Sequence, residues 1–170
     1  MLGRHHIIIG SGIAGLTAAE TIRAQDATAA ITMIGDEPHP FYSRPGLAYL
    51  LRGDIPERQL YLRSEADLRE LRLNQIYGRV RQIVPAWHGV ELADGRRLQY
   101  DRLLVATGAQ ASPPSFPGAE LRGLAKLDGL DDCRQLIRSC GRFRSAVVVG
   151  GGITALELAE GLQARGVRTH

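Results

Sequence analysis

The feature that most constrains this chain is a pattern that occurs twice, 140 residues apart. Residues 7–20 and 147–160 align without a gap, and six of their fourteen positions are identical. Each copy begins with a run of Ile or Val, continues as Gly-x-Gly-x-x-(Gly or Ala), and then has the composition of a helix. A buried strand, a glycine turn and a helix are the first half of a β-α-β unit. The sequence therefore predicts an α/β protein with a parallel sheet.

Each small residue of the pattern has its own physical role. Gly10 allows a tight turn, and Gly12 lets the main chain approach a pyrophosphate. Gly15 keeps the helix close to the strand, and the N-terminus of that helix offers unpaired N–H groups to phosphates. The alternative, in which the glycines only form turns, stays open. The second copy has Gly150, Gly152 and Ala155 at these places.

An acidic residue about 20 positions after the third glycine is expected to bind the ribose of a dinucleotide. Asp36 and Glu37 lie 21 and 22 residues after Gly15, directly after a second apolar run at 30–35. Both fit the spacing, and Asp36 could instead only stabilise a turn. The matching acid of the second copy would lie beyond residue 170.

Periodicity and turn residues predict the other elements. Residues 36–58 are expected to be irregular because they contain four prolines. Asp94 and Gly95 are expected to form a hairpin turn. Gly166 is predicted to end the last helix in a left-handed conformation. The predicted helices are 13–23, 64–71, 130–139 and one that ends near Arg165; the predicted strands are 6–9, 30–35, 75–84, 89–92, 97–100, 102–106, 146–149 and one that begins at 167.

Composition limits the function classes. No apolar run reaches the length of about 18 residues that spans a bilayer, so no membrane partner is expected. The net charge is +3, and acidic residues accompany the scattered arginines, so nucleic-acid binding is not expected either. The two cysteines, Cys133 and Cys140, form neither a disulfide framework nor a closed metal site, and we expect two reduced thiols. No metal site is predicted.

Five segments in order resemble the two-dinucleotide flavoproteins, the FAD-dependent pyridine nucleotide–disulfide oxidoreductase superfamily. They are the glycine loop at 10–15, Gly-Asp-Glu-Pro at 35–38, Tyr-Ser-Arg-Pro-Gly-Leu at 42–47, Asp-Arg-Leu-Leu-Val-Ala-Thr-Gly-Ala at 101–109, and Gly-Gly-Gly-Ile-Thr-Ala-Leu-Glu at 150–157. The segment at 42–47 is similar to the branch that includes rubredoxin, ferredoxin and nitrite reductases. The resemblance implies a Rossmann-like FAD-binding domain with a small antiparallel layer, followed by the start of a Rossmann-like NAD(P)-binding domain.

The resemblance also implies cofactor-binding residues. The FAD pyrophosphate would lie against the first glycine loop, the adenosine ribose against the acids after the second strand, and the adenine against the backbone of Val80. Arg44 would lie beside the flavin or the pyrophosphate, although it could also be a surface arginine, and Glu157 could be a solvated helix residue. The implied FAD residues are Gly10, Gly12, Ile13, Ala14, Gly15, Asp36, Glu37, Arg44, Pro45, Val80, Ala106, Thr107 and Gly108, and the implied NAD(P) residues are Gly150, Gly152, Ile153 and Glu157.

The chain also departs from the family pattern. Residues 39–50 contain no cysteine, so no dithiol relay is expected. Tyr49 stands where many ferredoxin-reductase relatives have a lysine, so a Lys–Glu pair with Glu157 is not available. No side chain is a convincing acid, base or nucleophile, and we predict no catalytic residue.

These observations predict the N-terminal part of a cytoplasmic, FAD-dependent NAD(P)H oxidoreductase. Hydride would pass from nicotinamide to flavin, and electrons would continue to an acceptor protein or domain. The alternative is a nucleotide-binding or interaction module without turnover. The predicted domains are an FAD-binding domain at 1–112, a linker at 113–126 and the start of an NAD(P)-binding domain at 127–170. We expect the 170-residue segment alone to bind FAD weakly or not at all and not to oxidise NAD(P)H.

Overall fold

The computed structural model describes residues 4–112 and 114–170. The elements, in chain order, are β1 His5–Ile9, α1 Ile13–Gln25, β2 Ala30–Gly35, α2 Gly46–Arg52, α3 Glu65–Glu70, β3 Leu73–Tyr77, β4 Val80–Val84, β5 Gly89–Leu92, β6 Arg97–Gln99, β7 Arg102–Val105, α4 Leu130–Ser139, β8 Ser145–Ala146, α5 Ile153–Ala164 and β9 Arg168–Thr169; short 3-10 helices lie at Glu57–Leu60 and Pro85–Trp87. These elements form two compact units. The first comprises Met1–Tyr42 with Leu62–Ala109, and the second Ser43–Tyr61 with Gln110–His170.

The first unit contains a parallel sheet and a small antiparallel sheet, which confirms the predicted fold class. The parallel sheet has the strand order β3-β2-β1-β7, and the antiparallel sheet has the order β4-β5-β6. Ile7 and Ile8 on the central strand β1 are fully buried. They face opposite sides of the sheet. Ile7 joins the core shared with β5, and Ile8 joins the core under α1. An uninterrupted apolar run is typical of a parallel strand covered on both faces.

In the second unit, helices α2, α4 and α5 pack beside a two-stranded parallel pair, β8 and β9. Helix α2 lies against Gly161 of α5, where a Cβ would come 2.7 Å from Cγ of Leu51. The guanidinium of Arg165 donates hydrogen bonds to the carbonyls of Leu50 and Leu51 at the end of α2. The side chains of Arg134 and Glu57 are paired, with a 2.6 Å contact between nitrogen and oxygen, which ties α4 to the 3-10 helix at Glu57–Leu60.

Gly166 ends α5 as predicted. Its φ of +79° is left-handed, and its N–H donates to the carbonyl of Gln163 at 2.9 Å. The N–H of Val167 donates to the carbonyl of Leu162 at 3.0 Å, and both side chains belong to one buried cluster. This pair of bonds, with the apolar contact across it, is a complete Schellman motif.

Three predictions about elements are wrong. Residues 36–58 are not wholly irregular, because Leu47, Leu50 and Leu51 form the buried face of α2, which ends at the left-handed Gly53. The prolines around this segment concealed its helical spacing. The predicted strand 75–84 is two strands, since the chain leaves the parallel sheet after Tyr77 and enters the antiparallel sheet at Val80.

The third error concerns the run at 146–149, which was expected to be a buried strand. Only Ser145–Ala146 is assigned as strand, and Val147 and Val149 are 74% and 77% exposed. The side chain of Val148 between them packs against the buried cluster of Cys140, Leu162 and Val167. Side chains alternate along an extended chain, and only one face of this run is covered by the residues that the structure describes.

Candidate functional site

The predicted site residues of the first unit meet at one edge of its parallel sheet. β1 ends at Ile9, which is paired with Ile34 of β2 on one side and Val105 of β7 on the other. The loops that follow these three strands, 10–12, 36–37 and 106–108, therefore leave the sheet at its carboxyl edge. Ligands of open α/β sheets bind outside this edge.

Two of the three glycines in the first loop are required by the protein's own backbone. Gly10 has a φ of +114°, and a Cβ there would lie 2.1 Å from the carbonyl oxygen of Ala106. A Cβ at Gly15 would lie 2.0 Å from the carbonyl oxygen of Gly10. Both distances are far below contact range, so a side chain at either place would push strand, loop and helix apart.

Gly12 is different, because the protein leaves open space in front of it. It is the N-cap of α1, with φ −77° and ψ −171°, and a Cβ there would meet no atom within 4 Å. Ile13 and Ala14, the first helical residues, are exposed. The first N–H groups of a helix have no partner within the helix, and here they lie beside unfilled space. This arrangement fits a pyrophosphate, and the residues present are compatible with FAD.

The second copy repeats this geometry in the other unit. Gly150 has a φ of +147°, and Gly152 is the N-cap of α5 with φ −87° and ψ 171°. A Cβ at Gly152 would again meet no atom within 4 Å, and Ile153 after it is 69% exposed. Glu157 lies one turn further along α5 and is half-buried. Each unit therefore carries its own open helix N-terminus behind a glycine turn.

The two candidate ribose acids differ in their surroundings. Asp36 is exposed, whereas Glu37 is half-buried. The hydroxyl of Tyr42 donates a hydrogen bond of 2.6 Å to Oε2 of Glu37. Tyr42 is not among the predicted site residues, although it begins the segment at 42–47 that carries the resemblance.

The other predicted residues of the first unit lie near its carboxyl edge or just beyond it. Ala106 donates its N–H to the carbonyl of Ile9 at 2.7 Å, and Gly108 has a φ of +69°. Val80 opens β4, three residues after the end of β3, and its side chain packs against the core beneath β5. Ser11 in the first glycine loop packs against Gly35, where a Cβ would lie only 2.5 Å from its Oγ.

Arg44 and Pro45 belong to the second unit. Pro45 is the N-cap of α2, and the guanidinium of Arg44 donates a hydrogen bond to the carbonyl oxygen of Asp128. The carboxylate of Asp128 accepts hydrogen bonds from Lys126 and from the N–H of Ala111. Burial alone would raise the pKa of Asp128, but the Lys126 hydrogen bond and charge, with the Ala111 N–H, outweigh it, and the pKa lies below its usual range.

Both thiols of the second unit are buried and unpaired with each other. Burial raises the pKa of Cys133 from 9.0 to about 11, and it also raises the pKa of Cys140. The thiol of Cys133 lies 3.6 Å from the carbonyl oxygen of Leu47. A neutral, buried thiol is a poor nucleophile and a poor metal ligand. Among residues 4–112 and 114–170, no three or more His, Cys, Asp or Glu side chains come together in a group that could hold a metal ion.

These thiols should therefore resist alkylation in the native protein. At pH 8 we expect iodoacetamide to modify neither cysteine until the chain is unfolded, when both react, as mass spectrometry would show. The neutral Cys133 thiol contributes stability that is complete below pH 9.0 and is lost as the pH rises towards about 11. Rapid modification of the folded protein at pH 8 would contradict the buried, neutral state.

None of the helices in the described ranges combines the length and the apolar character that a membrane span requires.

Comparison with known proteins gives a consistent result. Residues 4–170 match the family model described as "Pyridine nucleotide-disulphide oxidoreductase". The chlorobenzene dioxygenase ferredoxin reductase component of Cupriavidus sp. (strain PS12) is 35% identical over 160 residues, which are 93% of this chain and 39% of that protein. The 3-phenylpropionate/cinnamic acid dioxygenase ferredoxin–NAD(+) reductase component of Photorhabdus laumondii is 38% identical over 168 residues. These are 94% of this chain and 41% of that protein.

A solved structure of similar fold is the covalent putidaredoxin reductase–putidaredoxin complex. It has a TM-score of 0.88 and 28% identity, and the match covers 99% of this chain and 42% of that one. The chain thus spans about two fifths of the length of these relatives.

Proposed function

Because the chain belongs to the pyridine nucleotide–disulphide oxidoreductase family, we propose that it forms the N-terminal part of an FAD-dependent NAD(P)H oxidoreductase. The observation that carries this proposal is the first glycine loop. It ends a central parallel strand and leaves open space at Gly12, at the N-terminus of α1. Proteins of this family use FAD and NAD(P)H, and the loop has the geometry that a dinucleotide pyrophosphate requires.

Each part of the proposed FAD site belongs to the chain's own backbone or acids. The N–H groups at Gly12, Ile13 and Ala14 bind the pyrophosphate, while Gly10 and Gly15 keep the loop close to the sheet. One of the acids at 36–37 accepts hydrogen bonds from the adenosine ribose. Ala106, Thr107 and Gly108 line the same sheet edge, and the backbone near Val80 contacts the adenine. The role of Arg44 and Pro45 beside the flavin or the pyrophosphate stays a prediction of the resemblance.

The second glycine loop is the proposed NAD(P) site. Gly150, Gly152 and Ile153 offer backbone N–H groups at the start of α5, and Glu157 lies one turn further along that helix. When bound, the flavin supplies the redox chemistry of accepting hydride and passing electrons onward, and the protein supplies binding and orientation. No residue of this chain acts as an acid, base or nucleophile in the proposal.

The proposed electron acceptor is a separate redox protein or domain of the ferredoxin type. Two similar proteins are named as ferredoxin reductase components of dioxygenases, and a third was solved in complex with putidaredoxin. Neither cysteine is available for a dithiol relay, because both thiols are buried and neutral. In the proposal, neither thiol of this chain takes part in electron transfer. We place the protein in the cytoplasm, where free thiols stay reduced.

A comparison of three nucleotides tests the proposed FAD site. In the proposal the glycine loop contacts the pyrophosphate and the acids contact the adenosine, so this chain alone should bind FAD and ADP, but only weakly. FMN lacks both of those groups and should bind at least about tenfold more weakly. Binding is followed by NMR chemical-shift changes at millimolar nucleotide, which detects weak complexes. Equal binding of FMN and ADP, or no binding of ADP, would contradict the site.

The hydride-transfer part of the proposal is tested on a longer protein, in which this chain is extended to the full length of its relatives. Anaerobic addition of NADH to that FAD-loaded protein should bleach the flavin absorption band. Addition of a ferredoxin-type acceptor should then restore the band. A flavin that stays oxidised in the presence of both NADH and NADPH would overturn the proposed activity.

A further inference from the structure

At the candidate FAD site, a tyrosine hydroxyl is hydrogen-bonded to one of the two candidate ribose acids. Tyr42 donates a hydrogen bond of 2.6 Å from its hydroxyl to Oε2 of Glu37. This distance is typical of a hydroxyl that donates to an ionised carboxylate, and such bonds are stronger than neutral ones. The bond closes a short loop, because only four residues separate the two partners in sequence.

The tyrosine end of this bond is held firmly. Tyr42 is only 7% exposed, and Phe41 before it is 9% exposed. The ring of His39 packs edge-on against the ring of Tyr42, with 6.4 Å between the centroids and 73° between the planes. Pro38 and Pro40 restrict the backbone between the two ends, since each proline fixes its own φ. A buried, packed tyrosine therefore determines where the Glu37 carboxylate points.

The carboxylate keeps capacity for a second donor. A carboxylate has two oxygens and about four acceptor positions, so it can accept hydrogen bonds from several donors at once. Glu37 follows β2 by two residues and is half-buried, so it stands near the carboxyl edge where the glycine loop also lies. Asp36 follows the same strand but is exposed.

We propose that Tyr42 is a positioning residue for nucleotide binding, which holds the Glu37 carboxylate so that it accepts hydrogen bonds from the adenosine ribose. The inference rests on the proposed FAD site and deepens it, because it selects Glu37 over Asp36. A carboxylate that is oriented before the ligand arrives loses less conformational freedom on binding. Tyr42 itself does not contact the nucleotide.

The test compares ADP with 2′-deoxy-ADP and 3′-deoxy-ADP, which each lack one ribose hydroxyl. Each nucleotide is titrated by NMR into the wild-type chain and into Tyr42→Phe. We expect the wild type to prefer ADP about tenfold over at least one of the deoxy analogues. In Tyr42→Phe that preference should fall to about threefold or less, while the affinity for that deoxy analogue stays unchanged. A merely structural role would weaken all three nucleotides alike.

A matched control is available in the other unit. Tyr61 also donates its hydroxyl to a glutamate, Glu57, at 3.4 Å, and Tyr61→Phe should leave the preference for ADP unchanged. A second variant, Glu37→Asp, keeps the charge and the tyrosine ring but shortens the side chain away from the hydroxyl. It should lose the preference in the same way, even if Tyr42→Phe proves poorly folded by circular dichroism.

The outcomes separate the two proposals. If ADP binds the wild type and Tyr42→Phe retains the full preference, or if that variant weakens every nucleotide equally, the positioning role is wrong and the FAD site stands. If the wild-type chain binds no ADP at millimolar concentration, the proposed FAD site itself fails. Loss of the preference in Asp36→Asn but not in Glu37→Asp would transfer the ribose contact to Asp36 and overturn the inference.

Discussion

Gly12→Val should weaken nucleotide binding strongly and leave the fold intact. A Cβ at Gly12 would meet no protein atom within 4 Å, so the protein has room for the new side chain. The space that valine would fill is where the proposed pyrophosphate meets the N–H groups of α1. We expect the affinity for ADP to fall more than tenfold, which corresponds to more than about 1.4 kcal/mol. The NMR titration measures this loss, and thermal unfolding should show little change.

Gly141→Val is the control for added bulk. Gly141 also has no neighbour within 4 Å of a Cβ, but it follows α4 in the second unit, away from either glycine loop in sequence. It should bind ADP as the wild type does. Unchanged ADP affinity in Gly12→Val would mean that the loop is not the phosphate site, whatever its sequence resembles.

Gly15→Ala should destabilise the fold, because protein atoms already occupy the space that a Cβ at this position would need. A Cβ there would lie 2.0 Å from the carbonyl oxygen of Gly10 and 3.2 Å from Cγ2 of Ile8. The 2.0 Å contact is with backbone, which cannot rotate away, so α1 must move off β1. We expect a loss of about 2–3 kcal/mol in the free energy of unfolding. For a chain of 170 residues this lowers Tm by roughly 4–12 °C.

Gly141→Ala serves as the matched substitution for this experiment, since its Cβ meets open space. It should shift Tm by much less than Gly15→Ala does. Calorimetry of both variants measures the two Tm shifts. A Gly15→Ala protein as stable as the wild type would show that helix and strand can separate at little cost, and the close approach would then not explain the glycine.

Taken together, the two substitutions separate two roles that the sequence pattern joins. Gly10, Gly12 and Gly15 look equivalent in a Gly-x-Gly-x-x-Gly spacing. The structure shows that a Cβ at Gly10 would meet the backbone of Ala106, which follows the neighbouring strand β7. A Cβ at Gly15 would meet the backbone of Gly10. Gly12 faces unfilled space, so only a ligand would require its lack of a side chain.

The candidate site could be predicted from sequence where its residues follow directly from strand ends. The loops after β1, β2 and β7 were identified because glycine turns and short apolar runs are local patterns. Tyr42 was not identified as a site residue, because its role depends on a hydrogen bond to Glu37 across a turn. Composition cannot show where a tyrosine hydroxyl points. The one signal in the sequence is that Tyr42 begins the segment at 42–47.

The sequence by itself determined the features that depend on near neighbours along the chain. The order β1-α1-β2, the hairpin at Asp94 and Gly95, and the left-handed end of α5 at Gly166 all follow from spacing and turn chemistry. The tertiary structure alone decided that the chain changes sheets after Tyr77 and that Val147 and Val149 are exposed. These features depend on which distant segment pairs with a strand or covers its face, and an apolar run looks the same whether its partner is present or not.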